Sequence, residues 1–406
     1  MVRRVVVVLA VLGSAIPSAF GQDFGVEWMD RVTRQMEQER APLSLRPLDL
    51  RFFAGERVYY DQNIYLTEHG KKDDTVFITY GNLRLDYAEE NFDAALDLQA
   101  NYNHYVHEDD ARDDEERFYG RARWAGTEVQ VEVAEVFRRE SDPYIDPEVV
   151  ERVERLVSNT FPRVTVWVTD VVSLEANANI QVVRFEDDLF EHRDNQNYRV
   201  GLLGAYELPS GVQIVLDGGY LRIDYRHDPT DAEHPGPADV QGAYLRGGFR
   251  GEIQPRIFLS LLIGPTYAAS ERVEELHQDS ERYTTGDVEM NMRFEASEKT
   301  SLFFDYARRV GFGAWESFQI VNRVGAGLEY AATEKLKILL RGQYDYVRGI
   351  DDWGRSFGSV SVGTTYSVLE NLILDAAATY READLERHGS DYATDAIFSA
   401  GAAMTF

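Results

Sequence analysis

The sequence of 406 residues contains no cysteine, so no disulfide framework stabilises it. Basic residues are also scarce, with 42 lysines and arginines against 70 aspartates and glutamates and a formal net charge of −28. We therefore expect no nucleic-acid partner, because binding to a phosphate backbone needs a basic surface. An acidic excess of this kind is typical of solvated loops.

Long hydrophobic runs are missing after the first residues. Arg3 and Arg4 precede the apolar stretch Val5–Leu12 and the mostly small residues Ser14–Gly21. This order is typical of a cleaved signal peptide, residues 1–21, and predicts an exported chain that begins at Gln22. No later segment reaches the roughly twenty continuous apolar residues of a transmembrane helix, so membrane residence would depend on strands.

Catalytic signatures are few. Neither an H-E-x-x-H nor a Walker-type motif occurs. The eight histidines lie mostly in or beside predicted loops, without a nucleophile at a readable spacing. We expect no enzyme and no cofactor, although a catalytic triad is recognised by geometry that a sequence does not display.

Residues 22–48 differ from the rest of the chain. The spacing of Val26, Met29, Val32 and Met36 predicts a short amphipathic helix. Two prolines then indicate a linker over Ala41–Leu48. We interpret this segment as periplasmic, with a plug folded into a pore as the alternative.

From residue 49 to 406 the dominant period is two. Leu336, Ile338 and Leu340 alternate with Lys337 and Arg341, and other segments repeat the pattern. Successive side chains of a strand point to opposite faces, so each segment has one apolar and one polar face. Aromatic residues make up 12% of a chain whose mean hydropathy is −0.38, which suits strands that face lipid on one side and water on the other.

The connections alternate in length, short turns with long polar loops. This asymmetry predicts an all-β fold, a transmembrane antiparallel up-and-down barrel of about 18 strands, with short periplasmic turns and longer extracellular loops. The longest predicted loop, Arg139–Thr160, contains a stretch of helical character at Asp146–Leu156. We expect this loop to fold inward and constrict the pore.

The polar faces of the predicted strands carry charges of both signs. Such residues form cross-strand pairs that stiffen a barrel wall, and they also line a hydrated pore. These two interpretations stay open together. The residues predicted to line the lumen are Asp97, Arg117, Arg121, Arg123, Glu128, Glu132, Glu289, Arg293, Asp305, Arg309, Lys337, Arg341 and Asp345.

The C-terminal strand carries Phe398, Met404 and a terminal Phe406 on one face. A last strand that ends in phenylalanine resembles the signal read by the barrel-assembly machinery of the outer membrane. We therefore expect the cell outer membrane as the location, with its lipid and lipopolysaccharide as surroundings.

The acidic segment Glu108–Glu116 could bind Ca²⁺ or Mg²⁺ through its carboxylates. It lacks the spacing and the glycine of an EF-hand loop. A solvated loop is the favoured interpretation, and no metal site is assigned.

Residues Phe53–Thr67 resemble the opening strand of the beta-barrel porin 2 family, with matches at Gly55, Tyr60, Asp61, Asn63 and Tyr65. Gln62 departs from the aspartate that the family often has there. The resemblance implies export of an exopolysaccharide together with periplasmic polysaccharide-export proteins. The alternatives are a general or nutrient-uptake diffusion porin and a closed structural or adhesive barrel.

Overall fold

A computed structural model of the chain describes residues 43–45, 47–64, 71–107, 114–142, 153–186, 194–226, 238–270, 282–311, 319–348, 354–385 and 391–405. The predicted signal peptide and amphipathic helix lie outside these ranges. In the described ranges no helix is long and apolar enough to span a membrane.

Nineteen strands form in the described residues, most of them on the segments of two-residue alternation. Their bounds are β1 Leu43–Leu45, β2 Leu48–Asp61, β3 Asp74–Glu89, β4 Phe92–Tyr105, β5 Asp114–Ala125, β6 Val129–Asp142, β7 Val153–Thr169, β8 Val172–Phe185, β9 Asn195–Glu207, β10 Gln213–Tyr225, β11 Val240–Gln254, β12 Ile257–Ser270, β13 Arg282–Ser297, β14 Thr300–Gly311, β15 Gln319–Ala331, β16 Leu336–Arg348, β17 Gly354–Leu369, β18 Leu372–Leu385 and β19 Asp391–Thr405.

Strands β2 to β19 form a closed barrel. Each strand pairs antiparallel with the next, and β19 pairs with β2, for example Ala402 with Glu56. The predicted up-and-down barrel of about eighteen strands is therefore confirmed. Closure leaves these strands without a free sheet edge, which is how such barrels satisfy their backbone hydrogen bonds.

The predicted linker is partly a strand. Leu43–Leu45 pairs with Leu48–Leu50, so the chain turns back between Leu45 and Leu48 and β1 runs along the start of β2. Strand β19 pairs with β2 only from Phe53 onward, which leaves this part of its edge open to β1.

The predicted loop Arg139–Thr160 is shorter than expected. Strand β6 continues to Asp142 and β7 begins at Val153, with Arg139 paired to Leu156. The prediction of a helix was therefore wrong for Val153–Leu156, and residues 143–152 lie outside the described part. Val153, Val157 and Thr160 favour an extended backbone, which tertiary pairing then fixes.

The strands are strongly staggered. Following the pairs once around the barrel returns to β2 about 22 residues further along, which gives a strand tilt of about 40° and about 35 Å between opposite walls. Side chains fill a barrel of eight strands, but they cannot fill one of this width.

The outer face is an apolar band between two levels of aromatic residues. Leu202 and Leu216 are 70% and 60% exposed in the middle of this band. Exposed aromatic side chains lie toward the long-loop end at Tyr60, Tyr102, Tyr220, Tyr267, Tyr344 and Tyr380, and toward the short-turn end at Phe92, Trp124, Tyr206, Tyr330 and Tyr366. The neighbours of these residues along each strand point to the inner face, where most of the buried charged side chains lie.

Candidate functional site

The predicted lumen residues lie on the inner face, with one exception. Strand alternation places the others on the same side of their strands as the buried polar residues. They are Asp97, Arg117, Arg121, Arg123, Glu132, Glu289, Arg293, Asp305, Arg309, Lys337, Arg341 and Asp345. Glu128 differs, because it lies exposed in the turn between β5 and β6. It therefore sits at the short-turn end of the barrel and not on its wall.

Arginines on the inner face of β5 lie beside carboxylates of the neighbouring strands. Asp93 on β4 accepts hydrogen bonds from Arg121 at 2.9 Å and from Arg123 at 2.6 Å. Arg123 also lies directly opposite Glu132 of β6. These contacts are the cross-strand pairs that the alternation of charges predicts.

A buried ionic cluster has Arg246 of β11 at its centre. Its guanidinium donates to Asp217 of β10 at 2.5 Å and to Asp287 and Glu289 of β13, each at 3.1 Å. The side chains of Arg246, Asp217 and Asp287 are at most 10% exposed. One arginine thus joins strands on both sides of it, and charge-assisted hydrogen bonds of this kind are strong.

Tyr244 lies beside this cluster, over strands that carry glycine. A Cβ atom on Gly219 would approach the Tyr244 hydroxyl oxygen within 2.7 Å, and one on Gly201 would approach it within the same distance. Only glycine leaves room for the tyrosine to lie flat on the wall. The guanidinium of Arg199 on β9 stacks over the Tyr244 ring at 4.1 Å from its centroid.

At its long-loop end β14 separates from β13, while β15 stays paired with β16 as far as Ile320. Pairing between β13 and β14 stops at Val288 and Arg308, although β13 begins at Arg282 and β14 continues to Gly311. We call residues Arg309–Gly311 and Gln319–Val321 the inner tip, because two contacts place them inside the barrel.

In both contacts, a β14 side chain that the strand alternation assigns to the outer face touches side chains on the inner face of other strands. Val310 packs in an apolar cluster with Ile223, Val240 and Ala268, which belong to the inner faces of β10, β11 and β12. Arg308 donates to the Thr285 hydroxyl on β13 at 3.4 Å. A residue on the lipid side of its own strand reaches these partners only if the tip crosses inside β13.

The inner tip therefore narrows the barrel near its long-loop end. Arg309 lies on the opposite side of the tip from Val310 and faces the interior. It is within electrostatic range of Glu289, Asp287, Arg323 and Arg199. This constriction comes from β14 and β15. The constriction expected from residues 139–160 has its centre, residues 143–152, outside the described part of the chain and stays a prediction.

Ionic contacts also bridge the closing strand. Arg57 of β2 donates to Ser399 of β19 at 2.5 Å and lies 3.6 Å from Asp375 of β18. Nearer the loops, Arg381 of β18 contacts Asp61 of β2 at 3.2 Å. Both arginines thus tie β2 to β18 across β19.

Sequence reasoning missed several of these residues. It did not select Arg199, Tyr244 and Asp217, because the signal beside them, a glycine on each of the two strands that precede the strand of Tyr244, becomes meaningful only once the register is known. It also passed over Gly354–Gly358, which reads G-x-S-x-G. That segment lies within β17, with Ser356 opposite Tyr346 and Asp384, and not on the strand-to-helix turn that activates a nucleophile.

The C-terminal residues have the predicted alternation. Phe398 is 53% exposed on the outer face, and Met404 lies on the same side of the strand. Phe406 lies outside the described residues. No group of three or more histidine, aspartate and glutamate side chains able to hold a metal occurs in the described part of the chain; the acidic stretch 108–113 is outside it.

No protein-family profile and no curated protein sequence matches the chain. Among solved structures, it is similar to the outer membrane protein opdK from Pseudomonas aeruginosa, with 9% identity and a TM-score of 0.47 over 88% of this chain and 99% of that one. It is also similar to OccK2 (OpdF) from Pseudomonas aeruginosa, with 9% identity and a TM-score of 0.48 over 89% and 98% of the two chains. A BenF-like porin from Pseudomonas fluorescens Pf-5 has 9% identity and a TM-score of 0.48 over 89% and 100%.

Proposed function

We propose that the chain forms an outer-membrane channel through which small hydrated solutes diffuse. One observation carries this proposal: a closed barrel of eighteen strands has an apolar outer face and an inner face lined with ionised side chains. The class of protein is a porin-like channel and not an enzyme.

The outer face supports the membrane location. Its exposed leucines, isoleucines and valines lie between two levels of aromatic side chains, which is the arrangement of barrels that span an outer membrane. The predicted signal peptide provides the export that such a location requires.

The inner face supports an aqueous interior. Ionised groups in a dry interior would cost several kcal/mol each unless every one were paired. Walls about 35 Å apart also leave space that side chains do not reach. Water that fills this space would hydrate charges such as Arg293, whose side chain is 56% exposed.

The inner tip favours small solutes over a polymer. A polysaccharide in transit would need a wide passage along the whole barrel, whereas the tip occupies part of the interior. Export of an exopolysaccharide, which the resemblance at Phe53–Thr67 implies, is the second candidate. That resemblance has no support from a matching family profile.

Planar bilayers and liposomes test the proposal. The purified protein should conduct ions in stable steps, and liposomes that contain it should swell in monosaccharides faster than in tetrasaccharides. Equal permeation by long oligosaccharides would favour export. A protein that inserts and neither conducts nor admits sugars would be a closed structural or adhesive barrel.

We also infer that the last strand directs insertion by the barrel-assembly machinery. Deletion of Phe406 should lower the outer-membrane level of the protein, whereas Phe406→Tyr, which keeps an aromatic terminus, should not. Heat-modifiable migration on gels, measured on membrane fractions, separates inserted from periplasmic protein. Equal insertion of the deletion variant and the full chain would refute the inference.

A further inference from the structure

We propose that one side of the barrel, the outer face that runs from β18 through β19 and β2 to β8, is an interface between copies of this chain in the membrane. The inference goes beyond the proposed function. It uses the membrane-spanning barrel and does not depend on whether that barrel conducts.

A carboxylate lies in the middle of the lipid-facing band on β2. Strand alternation puts Glu56 on the outer face, midway between the exposed aromatic residues Phe52 and Tyr60. In the described ranges no hydrogen bond or ion pair holds its side chain. An ionisable group at this depth is unfavourable in lipid, and such groups typically face protein or water. Glu56 therefore indicates a part of the band that lipid does not cover.

A second carboxylate lies at the same height on β6. Glu135 is on the outer face, on the same side of its strand as the exposed Val133. It accepts hydrogen bonds from two hydroxyl groups of β7, Ser158 at 2.6 Å and Thr160. Following the strand pairs from Glu56 across four strands, with the stagger of about 22 residues shared evenly around the barrel, leads to within about one residue of Glu135.

Most of the side chains around Glu56 are small. At mid-height the outer face of β18, β19, β3 and β4 carries Ala376, Ala400, Gly81 and Ala100. At the same height on the opposite side of the barrel lie Leu202, Leu245, Ile263 and Leu340, each at least 45% exposed. Bulky apolar side chains suit contact with lipid chains, whereas small ones let a second wall approach closely. The two sides of the barrel are therefore built for different surroundings.

The occupant that fits this side is a second copy of the chain. Copies that insert in one direction are related by rotation about the membrane normal, which keeps every residue at its height. The same count of strand pairs puts Thr160 level with Glu56, so these two residues can meet where neighbouring copies touch. The hydroxyl groups of Ser158 and Thr160 then offer one donor to Glu135 and one to Glu56 of the next copy, and hydrogen bonds to a charged group are strong.

The spacing of the two carboxylates favours a ring. Four of the eighteen strands separate Glu56 from Glu135, about 80° around the wall. Two round walls touch along one line, so groups this far apart belong to two different contacts. Seen from one member, its neighbours lie about 60° apart in a ring of three and about 90° apart in a ring of four. We expect a ring of this size, because a dimer would leave one carboxylate in lipid.

Disulfide formation tests the interface, since the sequence has no cysteine. Ala54→Cys and Val133→Cys keep both carboxylates and place a thiol on the outer face next to each, toward the short-turn end. Copper phenanthroline oxidation of outer membranes that contain both variants should give a crosslinked dimer. A chain that carries both substitutions should give a ladder that ends at three or four copies.

The matched control is the pair Ile263→Cys and Leu340→Cys. These residues are also four strands apart at one height, on the opposite side of the barrel. Crosslinks in the first pair and not in the control support the interface. Crosslinks in neither pair, or equally in both, overturn it.

The Thr160 hydroxyl tests the polar contact itself. Thr160→Val keeps the shape of the side chain and should weaken association in lipid vesicles about tenfold, because a hydrogen bond to a charged group is lost. Förster transfer between dye-labelled, full-length barrels at increasing lipid dilution measures this, and heat-modifiable migration confirms that each variant is folded. Thr364→Val, the same change on the outer face of β17, is the control and should associate like the wild type.

Failure of the interface and failure of the channel are distinguishable. A folded wild-type protein that stays monomeric at every lipid ratio overturns the interface, and equal association of the wild type and both threonine variants overturns the contact at Thr160. Conductance in planar bilayers decides the proposed function separately, since one barrel encloses its own interior.

Discussion

At the scale of single residues, the arginines of the inner face have different roles in similar sequence surroundings. Arg246 is held by three carboxylates, Arg57 ties strands across the closing seam, and Arg199 stacks on an aromatic ring. Each follows a period-two pattern, so the sequence predicts that such a residue faces inward. Its partner depends on which strands lie side by side and on their register, which a sequence does not specify.

Replacement of Arg246 tests how strongly its cluster stabilises the barrel. Arg246→Leu leaves Asp217, Asp287 and Glu289 close together without a positive charge. Because breaking a buried ion pair leaves uncompensated charges, the free energy of unfolding should fall by about 3 kcal/mol. Urea titration in lipid vesicles, followed by tryptophan fluorescence, measures the change.

The control for that experiment is Arg222→Leu. Arg222 contacts Asp224 with its side chain 47% exposed, and exposed pairs contribute about 0–1 kcal/mol. Equal stabilities for the Arg246 and Arg222 variants would show that the cluster is hydrated enough to tolerate the loss.

Gly219 offers a second test at this scale. A Cβ atom there would lie 2.3 Å from the Val200 carbonyl oxygen, a backbone atom that cannot move away cheaply. Gly219→Ala should therefore cost about 2 kcal/mol of stability through overpacking. Gly247→Ala is the matched control, since no heavy atom lies closer than 3.9 Å to its added Cβ. The prediction fails if both substitutions unfold at the same urea concentration.

At the scale of elements, strands were predictable and their departures from the wall were not. The alternation of apolar and polar residues in Leu336–Arg341, and in the other segments that show it, indicates strands. Polar residues at regular spacing indicate the short turns between the strands. The inner tip carries no such signal, because Arg308, Arg309 and Val310 continue the strand pattern of β14. Only the loss of pairing with β13 reveals that the hairpin bends inward. For the expected constriction at 139–160, Arg139–Asp142 and Val153–Thr160 lie in wall strands, and residues 143–152 are outside the described part, so that expectation stays a prediction.

Release of the inner tip should widen the channel. Val310→Ser removes the apolar contact with Ile223, Val240 and Ala268, and Arg308→Ala removes the hydrogen bond to Thr285. The freed tip can extend the ladder with β13, where the register would set Arg309 opposite Asp287. Such a pair of opposite charges on neighbouring strands is favourable.

Single-channel conductance of the double variant measures this effect. We expect a conductance well above that of the wild type. Val324→Ser is the control, because Val324 belongs to the same hairpin and is 38% exposed on the outer face. A double variant that conducts like the wild type would mean that the tip is not the constriction.

At the scale of the whole molecule, the sequence predicted the closed barrel because each signal agrees with the others. Alternating faces, alternating connection lengths and the absence of long apolar runs all favour strands that cross a membrane. The number of strands followed from counting turns, since an antiparallel barrel adds one strand for each turn. The width of the interior did not follow, because it depends on the stagger of about 22 residues that only the pairing provides.

A pair of neighbouring residues tests the orientation of the barrel in a membrane. Leu202 and Leu203 are adjacent on β9; Leu202 is 70% exposed on the outer face, and Leu203 lies opposite Glu175 and Asp217 on the inner face. Leu202→Arg should lower the free energy of unfolding in lipid vesicles by about 2–4 kcal/mol, because it puts a charge near the middle of the lipid-facing band. Leu203→Arg should cost much less, since its side chain enters a polar interior beside two carboxylates. The same chemical change is thus made at one height on opposite faces of one strand, and urea titration measures both. Equal losses would contradict a membrane-spanning barrel with an aqueous interior, and a larger loss for Leu203→Arg would reverse the assignment of the two faces.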